Sequence, residues 1–279
     1  MTTLTSVLVA TDLSARSDRA VRRAAQIARD HGARLRVMTV LDDAMPADLI
    51  AMVHDRTQST IAHFVASACD GVDVTVDVQP GDPTTAIVQA CTADVDLLVM
   101  GTHRARAILD AIRETTMQRI ARLTATPVLL VTDRADHPYA KVVAACDFSP
   151  ASSAALRLAH LIAPAAHITP VHTLHIPYAG RLSHSTAAAD AIEASFRHEA
   201  ESAARTWLER ETLPTQHMAD LEIIPGSPMQ ILHGKVDHAG VDLITVGAHG
   251  RVGAARSLLG SLATDLMRDP PCDVLIARP

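Results

Sequence analysis

An apolar run that ends in an Asp-x-Ser turn occurs twice in this chain. It reads Ser6-Val7-Leu8-Val9-Ala10-Thr11-Asp12-Leu13-Ser14 the first time and Val142-Val143-Ala144-Ala145-Cys146-Asp147-Phe148-Ser149 the second. Apolar residues at helical spacing follow each turn. Ala20, Val21, Ala24, Ile27 and Ala28 recur as Ala155, Leu156, Ala159, Ile162 and Ala163, each 135 positions further on. A repeat of this length makes the chain a duplication of one folding unit, and it must be found before any single element is read. The expected units are 1–134 and 140–279, joined by a charged, proline-containing linker over Thr132 to Ala140.

Within each unit apolar runs alternate with amphipathic ones. Second strands are expected over Arg34 to Leu41 and His167 to Leu174, and long helices over about Ala47 to Ala68 and Thr186 to Leu213. Third strands are read over Val72 to Val78 and Ala219 to Ile224, ending in the matched turns Pro80-Gly81-Asp82-Pro83 and Pro225-Gly226-Ser227-Pro228. Fourth strands follow over Asp96 to Met100 and Asp242 to Val246, and closing strands over Pro127 to Val131 and Val274 to Ala277. The spacing between copies has grown to 146 by Gly101 and Gly247, so the second copy holds 11 more residues, mostly around its His-rich segment and the helix after it. Strands that alternate with helices and are apolar throughout predict an α/β fold, with a parallel sheet covered on both faces. Ligands of such sheets bind beyond the carboxyl ends of the strands, where strand order reverses.

One stretch stands at that edge. Gly247-Ala248-His249-Gly250 follows the fourth strand of the second copy, and nine residues later Gly260-Ser261 opens a helical pattern carried by Leu262, Leu266 and Met267. Glycines let backbone approach a phosphate, and the free N–H groups of a helix start point at it. Gly247, Gly250, Gly260 and Ser261 therefore suggest a phosphate cradle. A lone Gly-x-x-Gly is equally compatible with plain turns; the strand before it and the helix after it favour the cradle.

Other classes are disfavoured by composition. Net charge is −6 with histidine neutral, aromatic residues make up 2%, and no basic face tracks a nucleic acid. No apolar segment reaches the roughly 18 residues of a membrane span, and the first residues show no basic region followed by an apolar signal core; a cytoplasmic location is expected. Cys69, Cys91, Cys146 and Cys272 are scattered in apolar surroundings and read as buried core thiols. His172, His175 and His184 raise a zinc hypothesis, but their spacing is loose and no cysteine or carboxylate set completes a tetrahedral site. There is no Walker lysine motif, nucleophile elbow or paired carboxylate at a strand end.

The Asp-x-Ser turns, the Gly-x-Pro turns and the closing pattern Gly-x-x-Gly, nine residues, Gly-Ser, Pro-Cys-Asp-Val-Leu-Ile resemble the universal stress protein family over nearly the whole chain, as a tandem pair. The resemblance implies two Rossmann-like units, each a five-stranded parallel sheet in the order 3-2-1-4-5, set against each other through their last strands. It implies ATP, with Mg²⁺, in the second unit, at Asp147, Thr173, Gly247, His249, Gly250, Arg251, Gly260, Ser261 and Leu262. Asp147 would meet the ribose or the metal, although an Asx turn or helix cap would equally use it. Thr173 stands where backbone meets adenine, and Ser149 reads as a cap. The first unit departs from the pattern. Arg104 replaces the second glycine and Glu114-Thr115 replaces Gly-Ser, so a side chain and a negative charge oppose phosphate there, whereas Arg104 and Arg106 would attract it. His103 is the counterpart of His249. The implied function is a stress-response protein in which nucleotide acts as a regulatory ligand for an unknown protein partner, with a homodimer possible. The alternatives are a nucleotide-independent scaffold, or a slow ATPase or self-phosphorylating protein with Ser261 as an acceptor.

Overall fold

The structure is a computed structural model; it describes residues 3–41, 43–44, 46–102, 114–132, 137–176, 186–250 and 258–279. The first half runs β1 (Ser6–Ala10), α1 (Ala15–His31), β2 (Arg34–Leu41), α2 (Ala47–Ala68), β3 (Val74–Pro80), α3 (Pro83–Ala90), β4 (Leu97–Gly101), α4 (Thr116–Leu123) and β5 (Val128–Val131). The second repeats the series as β6 (Lys141–Ala145), α5 (Pro150–Ile162), β7 (His167–Leu174), α6 (Thr186–Arg210), β8 (Glu222–Pro225), α7 (Pro228–Ala239), β9 (Leu243–Gly247), α8 (Ser261–Arg268) and β10 (Asp273–Ala277).

All the strands join one sheet in the order β3-β2-β1-β4-β5-β10-β9-β6-β7-β8. Each half keeps the expected order 3-2-1-4-5 with parallel pairing. Among the described residues the only antiparallel pair lies at the centre, where Val274, Leu275 and Ile276 face Leu130, Leu129 and Val128. The closing strands are thus spent on each other within the chain, and β3 and β8 are left as the edges. The central strands are buried along their length: β5 and β10 are buried throughout, and apolar apart from Asp273. Helices α1, α2, α5 and α6 cover one face of the sheet, and α3, α4, α7 and α8 cover the other.

Local chemistry explains the boundaries. Gly81 and Gly226 adopt φ of 147° and 135°, values L side chains rarely reach, so each Pro-Gly turn needs its glycine. Asp82 then caps α3 by accepting from Thr85 N at 2.9 Å, and Pro83 and Pro228 open α3 and α7 where no N–H is required. Third strands start later than expected, at Val74 and Glu222; ahead of β8 an isolated bridge joins Met218 to Ile168 of β7 without extending into the strand. Helix α6 stops at Arg210, short of Leu213, and Arg157 Nε binds the Thr212 carbonyl beyond it. The cysteines are free: Cys69, Cys146 and Cys272 are buried and Cys91 is half-buried. Burial pushes the Cys146 thiol up to about 12, so it stays protonated.

A buried polar cluster locks the halves together. Asp273 Oδ1 accepts from Thr132 N and Oγ1 at 2.9 and 3.1 Å, and its Oδ2 accepts from the Tyr139 hydroxyl at 2.6 Å. The Arg23 guanidinium stacks 4.0 Å from the Tyr139 ring centroid, and its Nε lies 3.5 Å from Asp273 Oδ2. A buried carboxylate survives only with such partners. Here they tie α1, the linker and β10 into one unit.

Candidate functional site

Both Asp-x-Ser turns are built alike. Asp147 Oδ1 accepts from Ser149 N at 3.1 Å, and Ser149 caps α5 by accepting from Ser152 N at 3.2 Å. In the first half Asp12 Oδ1 accepts from Ser14 N at 3.0 Å, and Ser14 caps α1 through Ser17 N at 3.3 Å. The aspartates therefore make Asx turns and the serines are the caps. The residue between is forced left-handed: Leu13 has φ of 61° and Phe148 of 64°. For a bulky residue that conformation costs about 1–2 kcal/mol.

The two halves hold this strain differently. Leu13 is 38% exposed, whereas Phe148 is buried and stacks on His172 with ring centroids 4.4 Å apart. Trp207 packs on Phe148 at 5.6 Å and donates from Nε1 to Ser153 Oγ at 2.8 Å. His172 Nδ1 stands 2.7 Å from the Cys146 carbonyl and so carries the proton it donates there. His172 thus buttresses the turn that carries Asp147. His175 is exposed, His184 lies outside the described residues, and no group of three metal-ligating side chains occurs among the described residues. The part played by Phe148 and Trp207 was not legible in the sequence; the aromatic at the x position of Asp-x-Ser was its only signal.

A cavity of about 240 Å³ opens at the carboxyl ends of β6, β7 and β9. Asp147, Thr173, Gly247, His249, Gly250, Gly260, Ser261 and Leu262 all line it, with Ala145, Val171, Leu232 and Val246 as an apolar floor. Arg251 lies outside the described residues. The structure therefore brings together every described residue of the expected set.

The glycines differ in why they are glycine. A Cβ on Gly247 would stand 2.8 Å from Ala151 C and Cβ and 3.0 Å from Ser152 N, so this glycine lets α5 pack on the strand end. Gly101 is squeezed in the same way by Arg16 O and Ser17 Cα, at 3.2 and 3.1 Å. Its retention in the first half, where the later glycines are lost, follows from packing. A Cβ on Gly250 would meet Asp147 Oδ2 at 3.0 Å, which places that carboxylate oxygen against the glycine loop. Gly260 is different. The nearest described atom to its Cβ position is 3.6 Å away, an ordinary contact, so no described residue demands a glycine there.

Gly260 is the N-cap of α8 and offers no side-chain cap, while its own N–H reaches Ala248 O at 2.8 Å. The first turn of α8 thus lines the cavity with no capping side chain among the described residues, a favourable arrangement for an anion. The equivalent start in the first half is closed. Thr115 Oγ1 accepts from Gln118 N at 3.2 Å and Gln118 Oε1 accepts from Thr115 N at 2.9 Å, a complete capping box. Glu114, read in the sequence as a bare charge, is bound bidentately by Arg122 at 2.7 and 3.0 Å. Arg122 holds its carboxyl below the usual range, so it remains ionised but neutralised by its partner. Arg104 and Arg106, with His103, lie outside the described residues. The first half does keep a cavity of about 240 Å³, lined by Thr11, Asp12, Ser14, Met38 and Gly101, so room is not what separates the halves.

His249 ties the glycine loop to the other half. Its Nε2 lies 3.0 Å from Arg278 Nη1, whose Nη2 donates to the carbonyls of Ala121 and Arg122 at the end of α4. Burial, with the Arg278 charge second, holds His249 below the ordinary imidazole range, so it accepts from the guanidinium as a neutral ring. Gln118 Nε2 makes a second bridge, donating to Thr264 O of α8 at 3.1 Å.

Comparison with known proteins agrees with this architecture. No curated protein matches the chain. Among solved structures, a universal stress protein from Archaeoglobus fulgidus DSM 4304 superposes with a TM-score of 0.69 at 17% identity, covering 98% of each chain. A functionally unknown protein from Pseudomonas aeruginosa PAO1 gives 0.61 at 18% identity, over 99% of this chain and 93% of its own. A universal stress protein solved in complex with cAMP is 29% identical over 47% of this chain and 98% of its own, with a TM-score of 0.38. The model of the universal stress protein family matches residues 3–132 and again residues 138–278. With the family matched across both copies, the chain belongs to the universal stress protein family as a tandem member.

Proposed function

We propose that the second half binds an adenine nucleotide, ATP, as a regulatory ligand, and that the first half is its structural partner. The units are read as 1–134 and 140–279. The observation that carries this reading is the contrast at the two helix starts. The first is sealed by the Thr115–Gln118 capping box, and the second is left without a side-chain cap behind a glycine that packing does not require. The phosphates would sit on the N–H groups of Ser261 and Leu262. The base would lie along the apolar floor beside Thr173, and the ribose near Asp147. Arg251 is assigned to the phosphates on its position in the motif alone.

Mg²⁺ fits this donor set. It is commonly held by one or two carboxylates together with substrate phosphates, and Asp147 turns Oδ2 toward the glycine loop where the phosphates would lie. Bound there, the ion would neutralise phosphate charge; Asp147 would orient it, and the α8 N–H groups would hold the remaining oxygens.

Calorimetric titration with Mg-ATP tests the assignment, after removal of any nucleotide that co-purifies. One site per chain is expected. Gly250→Glu drives a side chain onto Asp147 Oδ2 and adds a second negative charge, so it should abolish binding. Unchanged affinity in that variant would remove the cradle from consideration, and two sites in the wild type would overturn the reading of the first half.

A further inference from the structure

The two halves are related about the centre of the β5–β10 pair, where Leu129 faces Leu275. Under that relationship Asp273 corresponds to Pro127, while Arg23 and Gln26 of α1 correspond to Leu158 and Leu161 of α5. On the α1 side the space between helix and closing strands is filled. The linker lays Tyr139 into it, 6% exposed, with its hydroxyl on Asp273 and its ring under Arg23. Arg23 Nη1 also binds the His137 carbonyl of that linker and Gln26 Oε1. On the α5 side the equivalent space is a groove of about 490 Å³. A connector between two copies occurs once, so it can fill one of the two grooves.

The walls of the α5 groove state what would fit. Pro127, Leu158 and Leu161 replace a carboxylate, a guanidinium and an amide by apolar surface, and Leu213 and Pro214 extend it. Arg157, at the rim, is engaged by Glu211 Oε2 at 2.6 Å and by Thr212 O at 3.2 Å. Arg278 spends its guanidinium on His249 and the end of α4. Pro127 offers no side-chain acceptor where Asp273 accepts the phenolic hydrogen bond, so a ring without a hydroxyl suits this side. We propose that the α5 groove is a docking site for an extended segment of a partner protein that presents a phenylalanine side chain, in the manner in which the linker presents Tyr139 to the α1 side. Burying such a ring against aliphatic walls is the usual anchor of a small interface.

The test uses the full chain with leucine methyls observed by NMR. The probe is a synthetic peptide copying residues 133–141 with Tyr139→Phe, alongside the same peptide with Tyr139→Ala. Saturable shifts at the Leu158, Leu161 and Leu213 methyls are expected with the Phe peptide, and binding about tenfold weaker or more with the Ala peptide, the factor that 1.4 kcal/mol represents. Ala154→Phe fills the groove from the α5 face without deleting a core contact and should remove the shifts; circular dichroism and thermal melting verify that this variant is folded. Should the variant unfold, Leu161→Asn is the second block, with the same expectation. No saturable shift with the Phe peptide, or equal binding of the Ala peptide, overturns the proposal. So would equal binding by N-acetyl-phenylalanine amide, which would make the groove a small-molecule site. Groove shifts that depend on protein concentration without peptide would assign it to a second copy instead, and also overturn it. None of these readouts involves nucleotide, so the outcome is separable from that of the ATP titration.

Discussion

Arg278 Nη1 lies 3.0 Å from His249 Nε2, so the glycine loop of the second half rests on an arginine of the same half that also reaches the first. The same guanidinium accepts no proton and gives two more hydrogen bonds to Ala121 O and Arg122 O, at 2.7 and 3.1 Å. Arg122 in turn holds Glu114 at the degenerate loop of the first half. The loop of the second half is therefore anchored on the first half, whether or not the first half binds anything itself.

Replacing Arg278 by Met should keep most of the packing and release the loop. Hydrogen bonds to a charged group contribute about 1.5–3 kcal/mol each when intact, so the melting temperature should fall by several degrees and ATP affinity should drop with it. The contact also has a pH signature. His249 is held below its ordinary value in the fold, so the unfolded chain binds its proton first as pH falls. The stability it contributes is complete above the unfolded histidine range, near about 6.5, and is lost as pH falls through the folded value. Melting between pH 8 and pH 5 should show a shallower acid loss in His249→Gln than in the wild type; identical slopes would rule the contact out as the source.

The glycines should separate by function. Gly247→Ala forces a Cβ to 2.8 Å from α5 backbone, and overpacking of that kind costs about 1–3 kcal/mol. Gly260→Ala meets nothing closer than 3.6 Å at a φ of −64°, and should cost under about 1 kcal/mol. Its ATP affinity should nevertheless fall about tenfold or more, the equivalent of 1.4 kcal/mol. Chemical denaturation and calorimetry on the two variants would show opposite patterns. Loss of stability in Gly260→Ala equal to that in Gly247→Ala would contradict the assignment.

The helix starts give a matched pair. Thr115→Ala removes a capping side chain and should destabilise by about 1 kcal/mol. Ser261→Ala removes none, since the α8 cap is Gly260, and should leave the apo-protein's unfolding midpoint in place. Equal destabilisation by both would mean that α8 is capped by its serine after all.

The Asp-x-Ser turns predict a third asymmetry. Leu13→Gly relieves a left-handed residue that is 38% exposed. The gain of about 1–2 kcal/mol is offset in part by the entropy of glycine, about 0.5–1 kcal/mol, leaving stability unchanged or raised. Phe148→Gly relieves the same strain but deletes a buried ring, a loss of about 3–5 kcal/mol. Urea unfolding of both variants measures the difference, and a comparable loss in Leu13→Gly would show that the first turn is held by contacts of its own.

Much of this protein was legible as text. The Asp-x-Ser turns, the matched Pro-Gly turns and the apolar strands are periodic, local signals, and they were enough for two copies of a parallel α/β unit and the edge at which a ligand would lie. That the described residues from Asp147 to Leu262 share one cavity was legible for the same reason, because strand ends and helix starts gather motif residues wherever the fold is known. The reasons behind individual residues were not. Gly247 and Gly260 are the same letter, and only the nearness of Ala151 to one of them distinguishes packing from an open approach. Glu114 reads as a free charge until Arg122, eight residues away, is folded onto it. The contacts between Arg278 and His249, between Tyr139 and Asp273, and between Gln118 and Thr264 join residues 29, 134 and 146 positions apart. Sequence determined the elements because their periodicity is set by neighbours along the chain. Tertiary structure decided which charges are paired, which helix start is open and which groove is filled, because those depend on distances between residues far apart in the chain, some within one half and some across the antiparallel meeting of β5 and β10.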